Sequence, residues 1–492
     1  MSTNYTHPTL TYPLAILFSV ATSTALAGSY ELEPIEKLGK KIFFDEKLSI
    51  NRNQSCATCH VPEAGWVGDD PEINEHGAVY EGSISGKFGN RKPPSSAYAT
   101  QSPIFYADFG NRLVDDPEAG FDFDPLFVGG NFWDGRATGW ELGNPAADQA
   151  QGPFLNPVEQ ALPDAACVVY RVCEGRYGDL FDKVWGPNAC NINWPSKGEV
   201  NRTCMDPDGE VALSPMDREK VDRAYDRTAL SIAAFEDSSA SNAFTSKIDA
   251  HRAGLYDFNA QEELGRQIFR GRGMCSACHV GTPGPGAAPP LFTDFTFDNL
   301  GVPRNPENPA SIADPDWRDP GLGHFLSTVS GYTDYADANW GKHKVPTLRN
   351  VGLGSCEAAE NSDDGEDGHH SNRGKGNGKH DDCIVKAYMH NGFFKSLKTV
   401  VHFYNTRDIK PACEDLPEPI FDATEEVALA NDCWPKPEVD GPTVNTDELG
   451  NLGLTEEQED ALVAFMMAMS DGYMEADDDG DDDKGKRKGK DD

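Results

Sequence analysis

Two separate stretches of this chain carry the same pattern of apolar and polar positions. Residues 36–43 read Glu-Lys-Leu-Gly-Lys-Lys-Ile-Phe, and residues 262–269 read Glu-Glu-Leu-Gly-Arg-Gln-Ile-Phe. In both stretches Leu, Ile and Phe stand at i, i+4 and i+5, which places them on one face of an α-helix. The pattern therefore predicts two short amphipathic helices, and its recurrence indicates a duplicated module.

Further helices are predicted elsewhere in the chain. Residues 214–250 and 397–404 have apolar positions at helical spacing, and Thr455 with Gln458 forms a capping-box start to a last helix that should dock on a core. The regions around them, about 61–160 and 280–345, are rich in Gly and Pro. Strand signals are few, so we expect a mainly α fold with long ordered loops.

Each of the two repeated stretches leads into a Cys-x-x-Cys-His motif. In such a motif two thiols attach to the vinyl groups of a haem and the imidazole ligates its iron. A single Cys-x-x-Cys also suits a redox dithiol or half a zinc site, but two complete copies favour two haem c groups. The predicted attachment cysteines and axial histidines are Cys56, Cys59, His60, Cys275, Cys278 and His279.

These features divide the chain into predicted parts. Residues 1–27 are read as a signal peptide, 28–255 as a first cytochrome c-like haem domain, and 256–440 as a second one with a polar insertion at 356–383. Residues 441–475 would form the docking C-terminal helix, and 476–492 a disordered charged tail. We expect export to the periplasm or the cell surface, with no membrane span.

Cysteine content and charge add further expectations. Eight cysteines remain outside the haem motifs, an even number that suggests disulfides in an exported chain. Cys356 with Cys383 and Cys413 with Cys433 are the predicted pairs, and the other four should pair among themselves. The net charge of −38 argues against nucleic-acid binding and favours a basic or weakly charged protein partner.

Several motifs, taken in order, resemble one protein family. The sequence is similar to the bacterial di-haem cytochrome c peroxidases and their MauG-type relatives over roughly residues 34–470. The matching segments are Phe132-Trp133-Asp134-Gly135-Arg136-Ala137, Gln149-Ala150-Gln151-Gly152-Pro153, Asn156-Pro157-Val158-Glu159, Val345-Pro346-Thr347-Leu348-Arg349-Asn350 and Tyr388-Met389-His390-Asn391-Gly392.

The resemblance implies different tasks for the two haems. The second, ligated by His279 and Met389, would receive electrons, while the first, ligated by His60, would react with peroxide. Trp133 would relay electrons between them. Glu159 would transfer the protons that cleavage of the O–O bond requires, and Gln149 would orient peroxide or water.

Three departures from the family pattern leave alternatives open. The link from Trp133 to the glutamine is longer than usual, so Gln151 is an alternative to Gln149. His76 is the candidate for a histidine that closes the first haem, and a permanently open haem is the alternative. Lys92 falls where the family has an asparagine ligand for calcium, which makes a calcium site doubtful.

The sequence thus predicts an enzyme that reduces hydrogen peroxide to water with electrons from a donor cytochrome c or cupredoxin. A homodimer is compatible with it. One rival is a MauG-like oxidase that modifies a partner protein; that relative carries Tyr where Met389 stands, so Met389 favours the peroxidase. The other rival is a di-haem electron carrier without catalytic activity, which would have two permanently six-coordinate irons.

Overall fold

The structure is a computed structural model that describes residues 31–109, 125–284, 288–357 and 383–474. The predicted signal peptide, the predicted charged tail and most of the predicted insertion at 356–383 lie outside these residues. No helix in the described ranges is long and apolar enough to cross a membrane.

The fold is mainly α, as predicted. Within the described residues the helices are α1 Pro34–Phe43, α2 Pro71–Glu75, α3 Pro145–Leu155, α4 Ala165–Cys173, α5 Gly178–Trp185, α6 Lys197–Thr203, α7 Pro215–Glu236, α8 Lys247–Arg252, α9 Ala260–Arg270, α10 Pro309–Ala313, α11 Gly321–Thr328, α12 Leu397–Thr406, α13 Glu425–Ala430 and α14 Glu456–Met467.

Strands are short in the described part of the chain. Strand β1 (Tyr106–Asp108) pairs antiparallel with β2 (Leu126–Val128), with Ala107 opposite Phe127. Strand β3 (Phe297–Asp298) pairs antiparallel with β4 (His343–Lys344). Both are two-stranded ribbons, which need support from the surrounding core to be stable.

The duplicated module is visible as two equivalent helix pairs. Helix α1 packs on α7, and helix α9 packs on α14. A Cβ added at Gly39 would lie 1.8 Å from the backbone oxygen of Ser231, and one at Gly265 would lie 1.8 Å from that of Ala461. Only glycine lets the two backbones approach this closely, so both crossings depend on the same residue type.

Phenylalanine side chains pack at both helix crossings, α1 with α7 and α9 with α14. Phe43 meets Phe235 with ring centroids 5.5 Å apart, and Phe269 meets Phe465 at 5.3 Å. These pairs belong to two hydrophobic cores, whose buried members run from Leu38 to Phe235 and from Ile248 to Met469. Each core therefore supports one haem motif, while the proposed domain limits stay predictions.

The prediction for 214–250 needs a correction, because this segment is two helices rather than one. Helix α7 ends at Glu236 and α8 starts at Lys247. The intervening residues are rich in Ser and Asn, whose side chains compete with helical hydrogen bonds. Ser238 donates to the carbonyl of Phe235, and the Asn242 side chain accepts from the backbone N–H of Tyr98.

The disulfide predictions are confirmed. Cys356 bonds Cys383, and Cys413 bonds Cys433. The other four cysteines form Cys167–Cys204 and Cys173–Cys190, which tie α4 to the segments around α5 and α6. The four cysteines of the Cys-x-x-Cys-His motifs take part in none of these disulfides.

Candidate haem sites

Two large cavities surround the two Cys-x-x-Cys-His motifs. The first cavity, which contains Cys56, Cys59 and His60, spans about 1610 Å³, including the space at its opening to solvent. The second cavity, which contains the equivalent motif ending at His279, spans about 1430 Å³ on the same measure and is more apolar along its walls. Large apolar cavities with a few placed polar groups are typical of cofactor sites.

The local backbone presents the motif residues in the same way in both cavities. Residues Cys56–Thr58 and Cys275–Ala277 each form one turn of 3₁₀-helix. The backbone N–H of His60 donates to the carbonyl of Cys56 at 3.1 Å, and that of His279 to Cys275 at 2.8 Å. Each turn brings two thiols and an imidazole to one cavity wall.

Hydrogen bonds also orient the two imidazoles. Nδ1 of His60 lies 3.1 Å from the carbonyl oxygen of Trp66, and Nδ1 of His279 lies 2.9 Å from that of Phe292. A carbonyl only accepts, so Nδ1 carries the proton and Nε2 is left with its lone pair for a metal. Burial lowers the pKa of His60 to about 4, which keeps the imidazole neutral as a ligand must be.

Met389 lines the second cavity together with His279. Its backbone has φ of +67°, a left-handed conformation that is uncommon for a side chain of this kind. The neighbouring Tyr388 and Phe394 pair as an antiparallel bridge, which holds the turn in place. Strain held at a site in this way is a feature of functional positions.

Glu159 and Gln149 line the first cavity. Burial raises the pKa of Glu159, against the lowering effects of the Arg136 charge and a hydrogen bond with Asn156. Gln151, the alternative to Gln149, instead donates to Asp226 at 2.8 Å on helix α7. Between the two glutamines, the structure therefore brings Gln149 to the haem motif.

Trp133 lies in the walls of both cavities. Its indole N–H donates to the carbonyl of Lys92 at 2.8 Å, and its own carbonyl accepts from the backbone N–H of Lys344. The ring of His390 is 6.5 Å away in an edge-on arrangement. The indole is thus held in a fixed position between the two sites.

The surroundings of two buried lysines, Lys92 and Lys344, indicate whether haem fits the first cavity. Among the residues that the structure describes, the Lys92 ammonium donates to the carbonyl of Pro93, and the ammonium of Lys344 lies 3.4 Å from the side-chain oxygen of Asn131. Burial lowers their pKa values to about 8 and about 7. Buried cations require anionic partners, and the propionate carboxylates of a haem would supply them, so the residues fit the group.

Calcium fits poorly at the same place. Lys92 is buried in the first cavity wall, which Pro346 and Thr347 also line. An ammonium there repels a divalent cation and offers no lone pair while protonated. The buried ammonium of Lys92 therefore disfavours calcium at this position, and the doubt about a calcium site stays a prediction.

A buried polar network lies beside Trp133 and was not predicted. Ligand atoms of Asp319, His343 and His390 lie within 4.8 Å of one another. Both oxygens of Asp319 accept from the Arg91 guanidinium, at 2.6 and 2.7 Å, so the carboxylate is already neutralised. His390 in turn pairs with Glu438 at 3.0 Å. We read this cluster as a structural network rather than a metal site.

His76, the candidate gate, lies outside the described lining of the first cavity. Its side chain is 61% exposed and its Nδ1 is 3.1 Å from a carboxylate oxygen of Glu307. In this conformation His76 does not approach the first haem motif, and its gating role stays a prediction.

The sequence did not assign Lys92, Lys344 or Glu236 to the cavity walls; it singled out Lys92 only in connection with calcium. Lys92 lies in a loop and Lys344 ends the two-residue strand β4, so neither belongs to a longer sequence pattern. A lysine next to an apolar or proline residue is a weak signal of burial. Glu236 ends the apolar face of α7 and is also buried in the first cavity wall. For Glu236, the sequence signal was a carboxylate on the predicted buried face of a helix, which is an uncommon position for a charged residue.

Comparisons with known proteins agree with this arrangement. Residues 33–257 match the family model described as di-haem cytochrome c peroxidase. The chain is 29% identical over 463 residues to the methylamine utilization protein MauG of Paracoccus denitrificans, covering 93% of this chain and 94% of that protein. It is 24% identical over 451 residues to the cytochrome-c peroxidase IdrP1 of Denitromonas iodatirespirans, covering 88% and 80%.

A solved structure shows the same fold. The diheme peroxidase BthA from Burkholderia thailandensis matches with a TM-score of 0.61 and 25% identity, over 91% of this chain and 89% of that chain.

Proposed function

Because the chain is a member of the di-haem cytochrome c peroxidase and MauG family, we propose that it is an exported di-haem c peroxidase. It would reduce hydrogen peroxide to water with electrons from a small redox protein, which enter at the second cavity and reach the first. The observation that carries this proposal is the asymmetry of the cavities: Glu159 and Gln149 line the first, and Met389 lines the second.

Haem c, when bound at each motif, supplies redox-active iron. The thiols of each motif would attach it, and the free Nε2 of His60 and of His279 would ligate it. Met389 would close the second site with its thioether, a ligand typical of electron-transfer haems. The first cavity offers amide and carboxyl groups in place of a thioether, which suits binding of a small polar substrate.

Glu159 would manage the protons of the reaction. Reduction of one hydrogen peroxide to two waters consumes two electrons and two protons. A carboxyl group whose pKa is raised by burial holds a proton nearer to neutral pH, and it can release that proton inside the cavity. Gln149 would orient the substrate through its amide.

Trp133 would connect the two cavities. It contacts both of them and is held by the hydrogen bond to Lys92. An aromatic ring fixed between two redox sites divides electron transfer into two shorter steps.

Four disulfides support export, because such bonds persist in oxidising compartments. The negative net charge supports a basic or weakly charged electron donor such as a cytochrome c or cupredoxin.

Turnover with hydrogen peroxide and a reduced cytochrome c tests the proposal. We expect two haems per chain, and donor oxidation after the enzyme has been half-reduced. Glu159→Gln should lower kcat by about 100- to 10,000-fold with unchanged haem content. The matched control is Glu63→Gln, a glutamate on a loop beyond the first motif that is absent from the lining of both cavities.

Two iron centres that stay low-spin and six-coordinate in every redox state, with no response to peroxide, would contradict the proposal and favour an electron carrier. Equal loss of activity in the Glu159 and Glu63 variants would contradict the assigned role of Glu159.

A second candidate is a MauG-like oxidase that modifies a partner protein. The similarity to MauG over nearly the whole chain favours it, and Met389 on the second cavity opposes it. A high-valent state that persists after peroxide addition and decays on contact with a protein substrate would reverse this ranking.

A further inference from the structure

The first cavity contains a second carboxyl group that the proposed reaction does not use. Glu236 is the last residue of α7, and 3% of it is exposed. Its Oε2 has no hydrogen-bond partner among the described residues. Buried carboxyl oxygens are normally paired, so an unpaired one that faces a cofactor cavity calls for a reason.

The internal repeat shows that this glutamate is specific to the first module. Gly39 packs on Ser231 and Phe235 in the same way that Gly265 packs on Ala461 and Phe465. By this register Glu236 is equivalent to Met466, which lines the second cavity. At the same place in the fold, the second cavity therefore has a thioether and the first has an ionisable group.

The position is unfavourable for a charged carboxylate. Burial raises the pKa of Glu236 to about 8. The carboxyl end of a helix also carries partial negative charge, which opposes another negative charge beside it. The structure nevertheless keeps a glutamate here, at the end of a long helix whose neighbouring buried positions are apolar.

Glu236 lies on the side of the first cavity where haem would be attached. Among the charged groups that act on the Cys56 thiol, it has the largest effect, raising the pKa of that thiol after the effect of burial itself. A charge that acts on Cys56 would also act on a haem edge bonded to this sulfur.

We propose that Glu236 couples a proton to reduction of the haem held by Cys56, Cys59 and His60. This inference rests on the proposed function, because it requires haem c at that motif. When the iron gains one electron from the donor, one proton from water binds the Glu236 carboxylate, and oxidation releases both. The coupling keeps the charge of the buried site constant through the redox cycle.

Other ionisable groups share the wall and must be separated from Glu236 in any test. The charged groups are Arg91, Lys92, Arg136, Glu159 and Lys344, and the remaining titratable side chains are Cys56, Cys59, His60, Tyr80 and Tyr98. Helix α1 packs against α7 here through the Phe43–Phe235 contact. Comparing the wild type with a variant that changes only Glu236 isolates the contribution of Glu236 to the pH dependence of the reduction potential.

The sign of the effect follows from the charges. An ionised Glu236 favours the ferric over the ferrous iron, so the reduction potential of the first haem should fall as pH rises through the pKa of Glu236. One proton per electron changes the equilibrium constant by at most tenfold per pH unit, which is about 59 mV.

Redox titration of the holoprotein over a pH range on both sides of pH 8 tests the proposal. In Glu236→Gln the first haem should lose this part of its pH dependence, and at high pH its potential should rise to the low-pH wild-type value. The second haem serves as an internal reference. Glu219→Gln, an exposed glutamate on the same helix, is the matched control and should behave as wild type.

A potential whose pH dependence is the same in wild type and Glu236→Gln would overturn the proposal. If that variant does not fold, infrared difference spectra of the wild type serve instead: reduction should produce the C=O band of a protonated carboxyl group, and its absence would refute the coupling. Haem content and peroxide turnover are measured separately, so failure of the proposed function is recognised independently.

Discussion

Replacing Gly265 by alanine should destabilise the second module through the helix crossing beneath its haem motif. The added Cβ would lie 1.8 Å from the backbone oxygen of Ala461 and 2.8 Å from Cβ of Phe465. The nearest atom belongs to a helix backbone, which has no rotamer to change. Helices α9 and α14 must therefore move apart.

The required movement is large for a packed interior. An ordinary contact begins at 3.4 Å, so the two backbones must separate by about 1.6 Å. Overpacking of a core costs about 1–3 kcal/mol, and we expect the upper end because the Phe269–Phe465 ring contact opens as well. Alanine restores about 1 kcal/mol of helix propensity relative to glycine. The net loss in free energy of unfolding should be about 2 kcal/mol.

Urea denaturation of the holoprotein, followed by circular dichroism and by haem absorbance, measures this loss. Gly39→Ala should cost about as much, because its geometry at Ser231 is the same. The control is Gly198→Ala in α6, where the nearest atom to the new Cβ is the flexible end of Arg202 at 3.6 Å. That variant should be unchanged or gain up to about 1 kcal/mol. If Gly265→Ala were as stable as Gly198→Ala, the close-crossing argument would be refuted.

Two further predictions concern stability. Arg349 is buried and donates two hydrogen bonds of 2.9 Å to Asp249. Arg349→Met would leave the buried carboxylate unpaired and should lower the free energy of unfolding by about 3–5 kcal/mol in chemical denaturation at neutral pH. An unchanged free energy of unfolding would contradict this. Burial alone would raise the pKa of Asp249, but Arg349 lowers it. The stabilisation from this ion pair is therefore present above about pH 4 and is lost as pH falls through the folded-state pKa of Asp249. The Arg349→Met variant should not show this loss. Replacing Cys413 and Cys433 together by alanine should cost about 2–4 kcal/mol in the same assay, and an unchanged midpoint would show that this loop needs no cross-link.

The sequence by itself determined the features that depend on neighbouring residues. The helices before each motif follow from the Leu, Ile and Phe spacing, and the start of α14 follows from Thr455 and Gln458, whose capping box is present. Haem attachment is predicted from a five-residue motif and stays a prediction. The disulfide pairs Cys356–Cys383 and Cys413–Cys433 could be predicted because each closes a short stretch of chain.

The sequence, by contrast, left Gln149 and Gln151 as alternatives. Only the structure shows that Gln149 lines the first cavity while Gln151 bonds Asp226 on another helix, and the role of Gln149 stays a prediction. The break between α7 and α8 also escaped the pattern, because it does not depend on hydrophobic spacing. Ser238 bonds locally to the carbonyl of Phe235, and Asn242 accepts from Tyr98, which is distant in the chain.

Tertiary structure alone decided which distant residues share a cavity. Lys92, Glu236 and Lys344 are far apart in the chain, yet all three line the first cavity, and Trp133 lies between both. Their convergence depends on how closely the helices cross at Gly39 and Gly265 and on where the loops between them return. Such contacts are set by packing of the whole core, so no local pattern of residues encodes them.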